Sequence, residues 1–337
     1  MIGFWILIFI LSLILLVKGA DWFVESSEKI ALALKISPFI VGVTIVAVGT
    51  SFPELASSIA AVLKGETAIV VATVVGSNIA NILLIVGLSA IAARILVVRR
   101  SLIDLDAPLL VSSVILFSFI IWDGEVVFWE GVLLSLGFLT YFLYTLFQRR
   151  EEVITPELVE ILPEGITIKI LPSRVERRRE KIKKEETEKI KTETILFLVL
   201  GILGLIVGSN YAIESMAKIG NFFKIPSSLI AALALAIGTS LPETLVSVRA
   251  ALKKKYEMAL GNIFGSNVFN LLLIPGVCAL IQPLVVDSLV ISVCLPFLLL
   301  TTFIFVISGI SRRIYIWEGM MYCLIYLLFV LKLFKVV

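Results

Sequence analysis

Roughly ten apolar stretches, each long enough to cross a bilayer and separated by short polar joints, limit this chain to very few folds. They run approximately over 2–23, 37–63, 67–92, 106–122, 126–147, 193–216, 226–252, 258–281, 288–308 and 314–334. A helix needs about 20 mostly apolar residues to span the hydrocarbon core, and in lipid only helices and closed barrels satisfy their own backbone hydrogen bonds. Composition agrees, because 59% of the 337 residues are hydrophobic and 16% are charged, against about 45–50% and about 25% in soluble domains. The expectation is an all-α polytopic membrane protein with ten transmembrane helices. The first stretch lacks a small-residue cleavage site and continues into Lys18 and Asp21, so it reads as a span rather than a removable leader.

The stretches are not independent. Residues 41–87 align without a gap on residues 230–276 at a constant offset of 189, and eighteen of the 47 positions are identical. Gly49-Thr50-Ser51-Phe52-Pro53-Glu54 matches Gly238-Thr239-Ser240-Leu241-Pro242-Glu243, and Gly76-Ser77-Asn78 with Asn81 matches Gly265-Ser266-Asn267 with Asn270. The same offset pairs Gly19, Asp21 and Glu25 with Gly208, Asn210 and Glu214, and an offset of 188 pairs Trp129-Glu130-Gly131 with Trp317-Glu318-Gly319. The repeat therefore spans whole five-helix halves, 1–147 and 193–337, around a charged segment at 148–192. Five crossings are an odd number, so the second half enters the membrane inverted with respect to the first. Folds of this kind place their substrate site near the midplane, between the halves.

Within the spans, Glu54 and Glu243 carry the chemistry. A carboxylate in the bilayer core costs about 2.5–3.5 kcal/mol on insertion scales. Neither has a basic residue at helical contact distance in its own span, since Lys64 and Arg249 to Lys255 lie toward the ends. A cation from solution is the natural partner. Each glutamate follows Thr-Ser-x-Pro, where proline interrupts the helix ladder and frees the carbonyls of Gly49 and Gly238. Thr50, Ser51, Thr239 and Ser240 add hydroxyl oxygens within a turn, the oxygen ligands hard cations prefer. Ser77 with Asn81, and Ser266 with Asn270, stand four apart on a helix face and offer neutral oxygens. Close packing of Gly76 and Gly265 is the bland alternative for any one of these, but packing does not require a carboxylate in each copy. Lys18, Asp21, Glu25 and Glu28 read as interfacial snorkelling, and the Trp-Glu-Gly pairs as interface anchors.

Charge placement sets an expected topology. Arg94, Arg99, Arg100, Arg149, Arg150, Arg249, Lys253 to Lys255, Arg312 and Arg313 fall in one set of joints, and few bases fall in the other. The positive-inside rule then puts both termini outside the cell membrane and the 148–192 loop in the cytoplasm. That loop, nearly all Arg, Lys and Glu from Ser173 to Lys191, reads as a charged tether. Cys278, Cys294 and Cys323 lie in apolar stretches without ligand spacing, and the chain has no histidine. Zinc sites and serine-histidine catalysis built on histidine are thereby excluded.

The paired Gly-Thr-Ser-x-Pro-Glu and Gly-Ser-Asn-x-x-Asn segments resemble the alpha repeats of the calcium/cation antiporter superfamily, most closely its prokaryotic sodium/calcium exchanger branch. The resemblance implies a secondary active antiporter exchanging Ca2+ for Na+ by alternating access. It implies that Glu54 and Glu243 are central calcium ligands beside Thr50 and Thr239. Ser51, Ser240, Ser77 and Ser266 would line flanking sodium sites with the carbonyls of Ala47 and Ala236, and helices bearing Gly19 and Gly208 would slide to alternate access. Members commonly carry an aspartate at one of the positions held here by Asn81 and Asn270, and the potassium-dependent branch also favours one; this chain has asparagine at both. Proton-coupled relatives more often carry Gly-Asn-x-x-Glu, absent here, so sodium is the first choice over H+ or K+. No cofactor and no nucleic acid is implied; the ions and the lipid bilayer are the expected partners. A cation channel and an intramembrane enzyme are the rival classes. Against the enzyme stands the missing His-Glu-x-x-His or Gly-x-Gly-Asp apparatus, and against the channel the neutral flanks around two carboxylates, which favour occlusion over permeation.

Overall fold

The computed structural model describes residues 2–34, 36–98, 106–148, 190–223 and 240–333. Among these residues the helices are α1 (Ile2–Leu34), α2 (Pro38–Leu63), α3 (Thr67–Ala93), α4 (Ala107–Ile120), α5 (Phe128–Gln148), α6 (Thr192–Phe222), α7 (Leu241–Leu252), α8 (Tyr256–Ile281), α9 (Val290–Ile310) and α10 (Ile316–Leu333). All but α4 and α7 are long and apolar enough to cross a membrane. Helix α4 with its 3-10 continuation, Ala107–Asp123, is shorter. For the expected span at 226–252, the residues before Ser240 lie outside the described set, as do Arg99, Arg100, Arg149, Arg150 and most of the 148–192 segment.

Buried and exposed residues are distributed as lipid requires. Outward faces carry Phe119, Phe303, Leu133 and Leu324, while Thr50, Ser51, Asn78, Asn262 and Ser266 are buried. Helix α1 runs to Leu34, eleven residues past the expected end at 23, because a drop in hydropathy marks where lipid ends and not where helix ends. Three of its polar residues, Asp21, Glu25 and Glu28, do not snorkel but pair with bases of α7 and the residues just after it, which corrects the sequence reading for them. Asp21 accepts from the Arg249 guanidinium through both its oxygens, at 2.9 and 2.7 Å to one and 2.5 Å to the other, and pairs with Lys253 at 2.7 Å. Lys253 also pairs with Glu25, and Lys255 with Glu28. The far half of α1 is thus tied to the end of α7. Ser37 opens α2, its hydroxyl accepting from the Ile40 amide at 3.3 Å with Pro38 in the first turn.

Two short antiparallel ribbons join one half of the chain to the other. Strand β1 (Ile95–Val97), after α3, pairs with β4 (Arg313–Tyr315), before α10, in the register Ile95 to Tyr315. Strand β2 (Glu125–Val126), before α5, pairs with β3 (Leu284–Val285), after α8. The repeat offset carries β1 onto β3 and β2 onto β4, so each ribbon joins one repeat to the other and the operation exchanges the ribbons. Helix α4 with its 3-10 continuation lies between β1 and β2 in the chain, as α9 lies between β3 and β4.

Packing obeys the same exchange. Gly87 of α3 lies against Gly319 of α10, where an added Cβ would stand 2.8 Å from the Gly319 carbonyl. Its counterpart, Gly276 of α8, lies against Gly131 of α5, where an added Cβ would stand 2.9 Å from the Gly276 carbonyl. Backbones this close need a residue without a side chain. The Trp-Glu-Gly pairs are more than anchors. Glu130 accepts from the Val127 amide at 2.9 Å and Glu318 from the Tyr315 amide at 2.8 Å, capping α5 and α10 at otherwise unpaired amides. Trp129 and Trp317 are 76% and 73% exposed, as interface aromatics are. Cys278 and Cys294 are buried, Cys323 is half-buried, and all three are free thiols.

Candidate cation site

Helices α2, α3, α7 and α8 pack on one another at the centre, and every described residue of the candidate set comes from them. Helix α2 passes through Pro53 without ending, and Glu54 follows with 4% of its surface exposed. Pro242 stands in the first turn of α7, just after Ser240, and Glu243 follows at 1%. The hydroxyl of Ser51 donates to Oε1 of Glu243 at 3.1 Å, so the motif of one repeat touches the carboxylate of the other. Glu54 and Glu243 are thus both buried on helices that touch. Two carboxylates buried together are relieved by a cation or by protonation of one of them.

The second motif sits in altered helix. Asn81 opens a π-helical turn over Asn81–Ile85, and Asn270 lies in one over Phe269–Leu273, at matching places in the repeat. Such turns shift the hydrogen-bond register and occur often at functional sites. Asn78 and Asn267 turn their amide nitrogens back onto the carbonyls of Val74 and Ile263, both at 2.7 Å, which stiffens the turn ahead of each.

Many polar atoms of this centre lack protein partners. Oε2 of Glu54, Oε2 of Glu243, both side-chain atoms of Asn81, Oδ1 of Asn270 and Oγ of Ser266 are buried without a hydrogen bond. Each such atom costs about 1–3 kcal/mol if left so. Five of the six are oxygens, the donor set a hard cation takes. Ser77 and Ser240 are buried beside them. The Ala47 carbonyl accepts from the Thr50 hydroxyl at 3.3 Å. Thr239, Ala236 and Gly238 lie outside the described residues. Among the described residues no three acidic or thiol groups cluster, so the centre offers two carboxylates and otherwise neutral oxygens.

Sequence reasoning missed Asn262 and Ser247. Asn262 accepts from Thr50 at 3.2 Å and donates to the Ser247 hydroxyl at 2.9 Å and the Glu243 carbonyl at 3.4 Å, with no surface exposed. Ser247 matches Ser58 across the repeat and could have been flagged; Asn262 matches Thr73, so a search for identities passes it by.

The sequence profile described as sodium/calcium exchanger protein matches residues 4–149 and 193–335. The chain is 33% identical to the sodium/calcium exchanger MaX1 of Methanosarcina acetivorans over 98% of each chain. It is 29% identical to the inner membrane protein YrbG of Escherichia coli, over 88% of this chain and 86% of that one. The solved sodium/calcium exchanger of Methanococcus jannaschii superposes with a TM-score of 0.78 at 28% identity, covering 97% of this chain and 98% of that one. Fold, repeat and profile agree, and the chain belongs to the sodium/calcium exchanger family, a family of membrane transporters and not of enzymes.

Proposed function

We propose that the chain exchanges Ca2+ for Na+ across a membrane by alternating access, with the cations held at the midplane among α2, α3, α7 and α8. The observation that carries this reading is the pair of buried carboxylates, Glu54 and Glu243, one from each repeat, each with an unpartnered oxygen. Calcium neutralises two carboxylates, and so do two sodium ions. Glu54, Glu243, Thr50 and Thr239 would hold calcium. Ser51, Ser77, Ser240 and Ser266, with the carbonyls of Ala47 and Ala236, would hold sodium, and Asn81 and Asn270 would lend neutral oxygens. A third sodium ion would leave the site net positive, stabilised by hydroxyl and carbonyl dipoles alone. In this reading the chain divides into a first repeat, 1–147, a loop, 148–192, and an inverted second repeat, 193–337.

The charges beside the ribbons support an orientation. The β1–β4 face carries Arg94, Arg312 and Arg313, whereas the β2–β3 face carries Asp123, Glu125 and Asp287. Thr67 meets the Val285 amide at 3.3 Å, so α3 starts at the acidic face. By the positive-inside rule the basic face is cytoplasmic, and both termini are outside. The functional test is calcium uptake into proteoliposomes. An outward sodium gradient at equal pH should stimulate it; no stimulation, together with uptake driven by a pH gradient in sodium-free buffer, would make the chain a proton antiporter.

A further inference from the structure

The carboxamide of Asn262 sits where three helices meet. It projects from α8 to Thr50 on α2 and to Ser247 and the Glu243 carbonyl on α7, and all four residues are buried. Its orientation is determined by its partners. The amide nitrogen has a serine oxygen and a carbonyl to donate to, so the oxygen faces Thr50, whose hydroxyl supplies a proton. Thr50, however, has one proton and two acceptors, the Ala47 carbonyl at 3.3 Å and Asn262 Oδ1 at 3.2 Å.

We propose that Asn262 is a positioning residue for the sodium side of exchange: it takes the Thr50 hydroxyl proton and so leaves the Ala47 carbonyl free to face a cation. A cation at that carbonyl repels the hydroxyl hydrogen, and without a second acceptor the hydroxyl would have to keep its bond to Ala47 or lose it unpaired. With Asn262 in place the proton moves between two oxygens at nearly equal distance. The hydroxyl oxygen is then turned with its lone pairs toward the cation. The repeat makes this device one-sided. Thr73 occupies the equivalent place, and one hydroxyl cannot donate to two groups while also accepting as a carboxamide does. The first repeat has no second carboxamide at the matching position, and loss of Asn262 should fall on a cation at the Ala47 carbonyl, and so on sodium more than on calcium. The inference rests on the proposed cation site at Glu54 and Glu243.

The test uses the full-length protein in proteoliposomes, with Asn262→Ala and, as a milder variant carrying the residue the repeat itself places there, Asn262→Thr. Two fluxes are read: sodium-driven calcium uptake against sodium concentration, and calcium–calcium self-exchange in sodium-free buffer. The expected result is a rise in the sodium concentration for half-maximal uptake of about fivefold or more, one neutral hydrogen bond's worth, with a clearly smaller loss of self-exchange, because calcium meets both carboxylates and Thr50 adds one neutral oxygen to them. Parallel loss of both fluxes, as a purely structural residue would give, overturns the proposal. So does an unchanged sodium dependence. If the parent protein itself shows no sodium stimulation, the underlying reading fails, and the inference with it; sodium-driven parent flux with indifferent variants sinks the inference alone.

Discussion

In the first repeat Pro53 lies inside a helix that continues to Leu63, and Glu54 follows it; in the second, Pro242 stands in the first turn of α7, and Glu243 follows. The two repeats otherwise match closely around the carboxylates. Asn81 and Asn270 sit in π-helical turns, Asn78 and Asn267 make the same backward hydrogen bond at 2.7 Å, and the two ribbons exchange under the repeat. They differ in how the helices around that centre are tied. Asp21, Glu25 and Glu28 reach Arg249, Lys253 and Lys255, whereas the repeat places Asn210, Glu214 and Ala217 opposite Ala60, Lys64 and Glu66. Asn262 faces Thr73 in the same way. A site that must be met from both sides gains from symmetry.

The largest effect should fall on the part the repeats share. Glu54→Gln and Glu243→Gln remove one charge each from a buried two-carboxylate centre, a loss of about 3 kcal/mol or more and over about 100-fold in flux. The two losses should be equal, with both variants folded, as read by sodium-driven calcium uptake and thermal unfolding in detergent. Substantial exchange in one variant but not the other would break the equivalence of the repeats.

A smaller effect should fall where they differ. Asp21 is 18% and Arg249 31% exposed, so their pair is part-buried and contributes about 1 kcal/mol. Asp21→Asn should lower the unfolding midpoint by a few degrees, less so at high salt where the pair is already screened. Asn210→Asp, opposite Ala60, should bring no matching gain. Equal shifts of opposite sign in the two variants would mean that a second ionic tie exists on the other face.

Much of this architecture is legible in the sequence because lipid is a strict solvent. Apolar stretches have to be helices, and eight of the described helices are long and apolar enough to span. The glutamates stood out because nothing else explains a carboxylate there. The remainder was hidden for identifiable reasons. The ribbons at Ile95–Val97 and Leu284–Val285 are two or three apolar residues in a joint, too short for a period to show. The apolar stretch ends at residue 23 although helix α1 does not: Asp21 and Glu25 form ion pairs with residues some 228 positions away, which no local pattern reports. Asn262 was invisible to the repeat because its role depends on differing from Thr73. The first half of the span leading to Ser240, with Ala236 and Thr239, lies outside the described residues.

The central claim, one shared cation site built from a carboxylate of each repeat, is tested most directly by calcium-binding stoichiometry on the purified protein in sodium-free detergent solution. The account predicts one calcium ion per chain, abolished alike by Glu54→Gln and by Glu243→Gln. Two ions per chain, with each variant keeping one, would mean that each repeat holds its own site, and would contradict it.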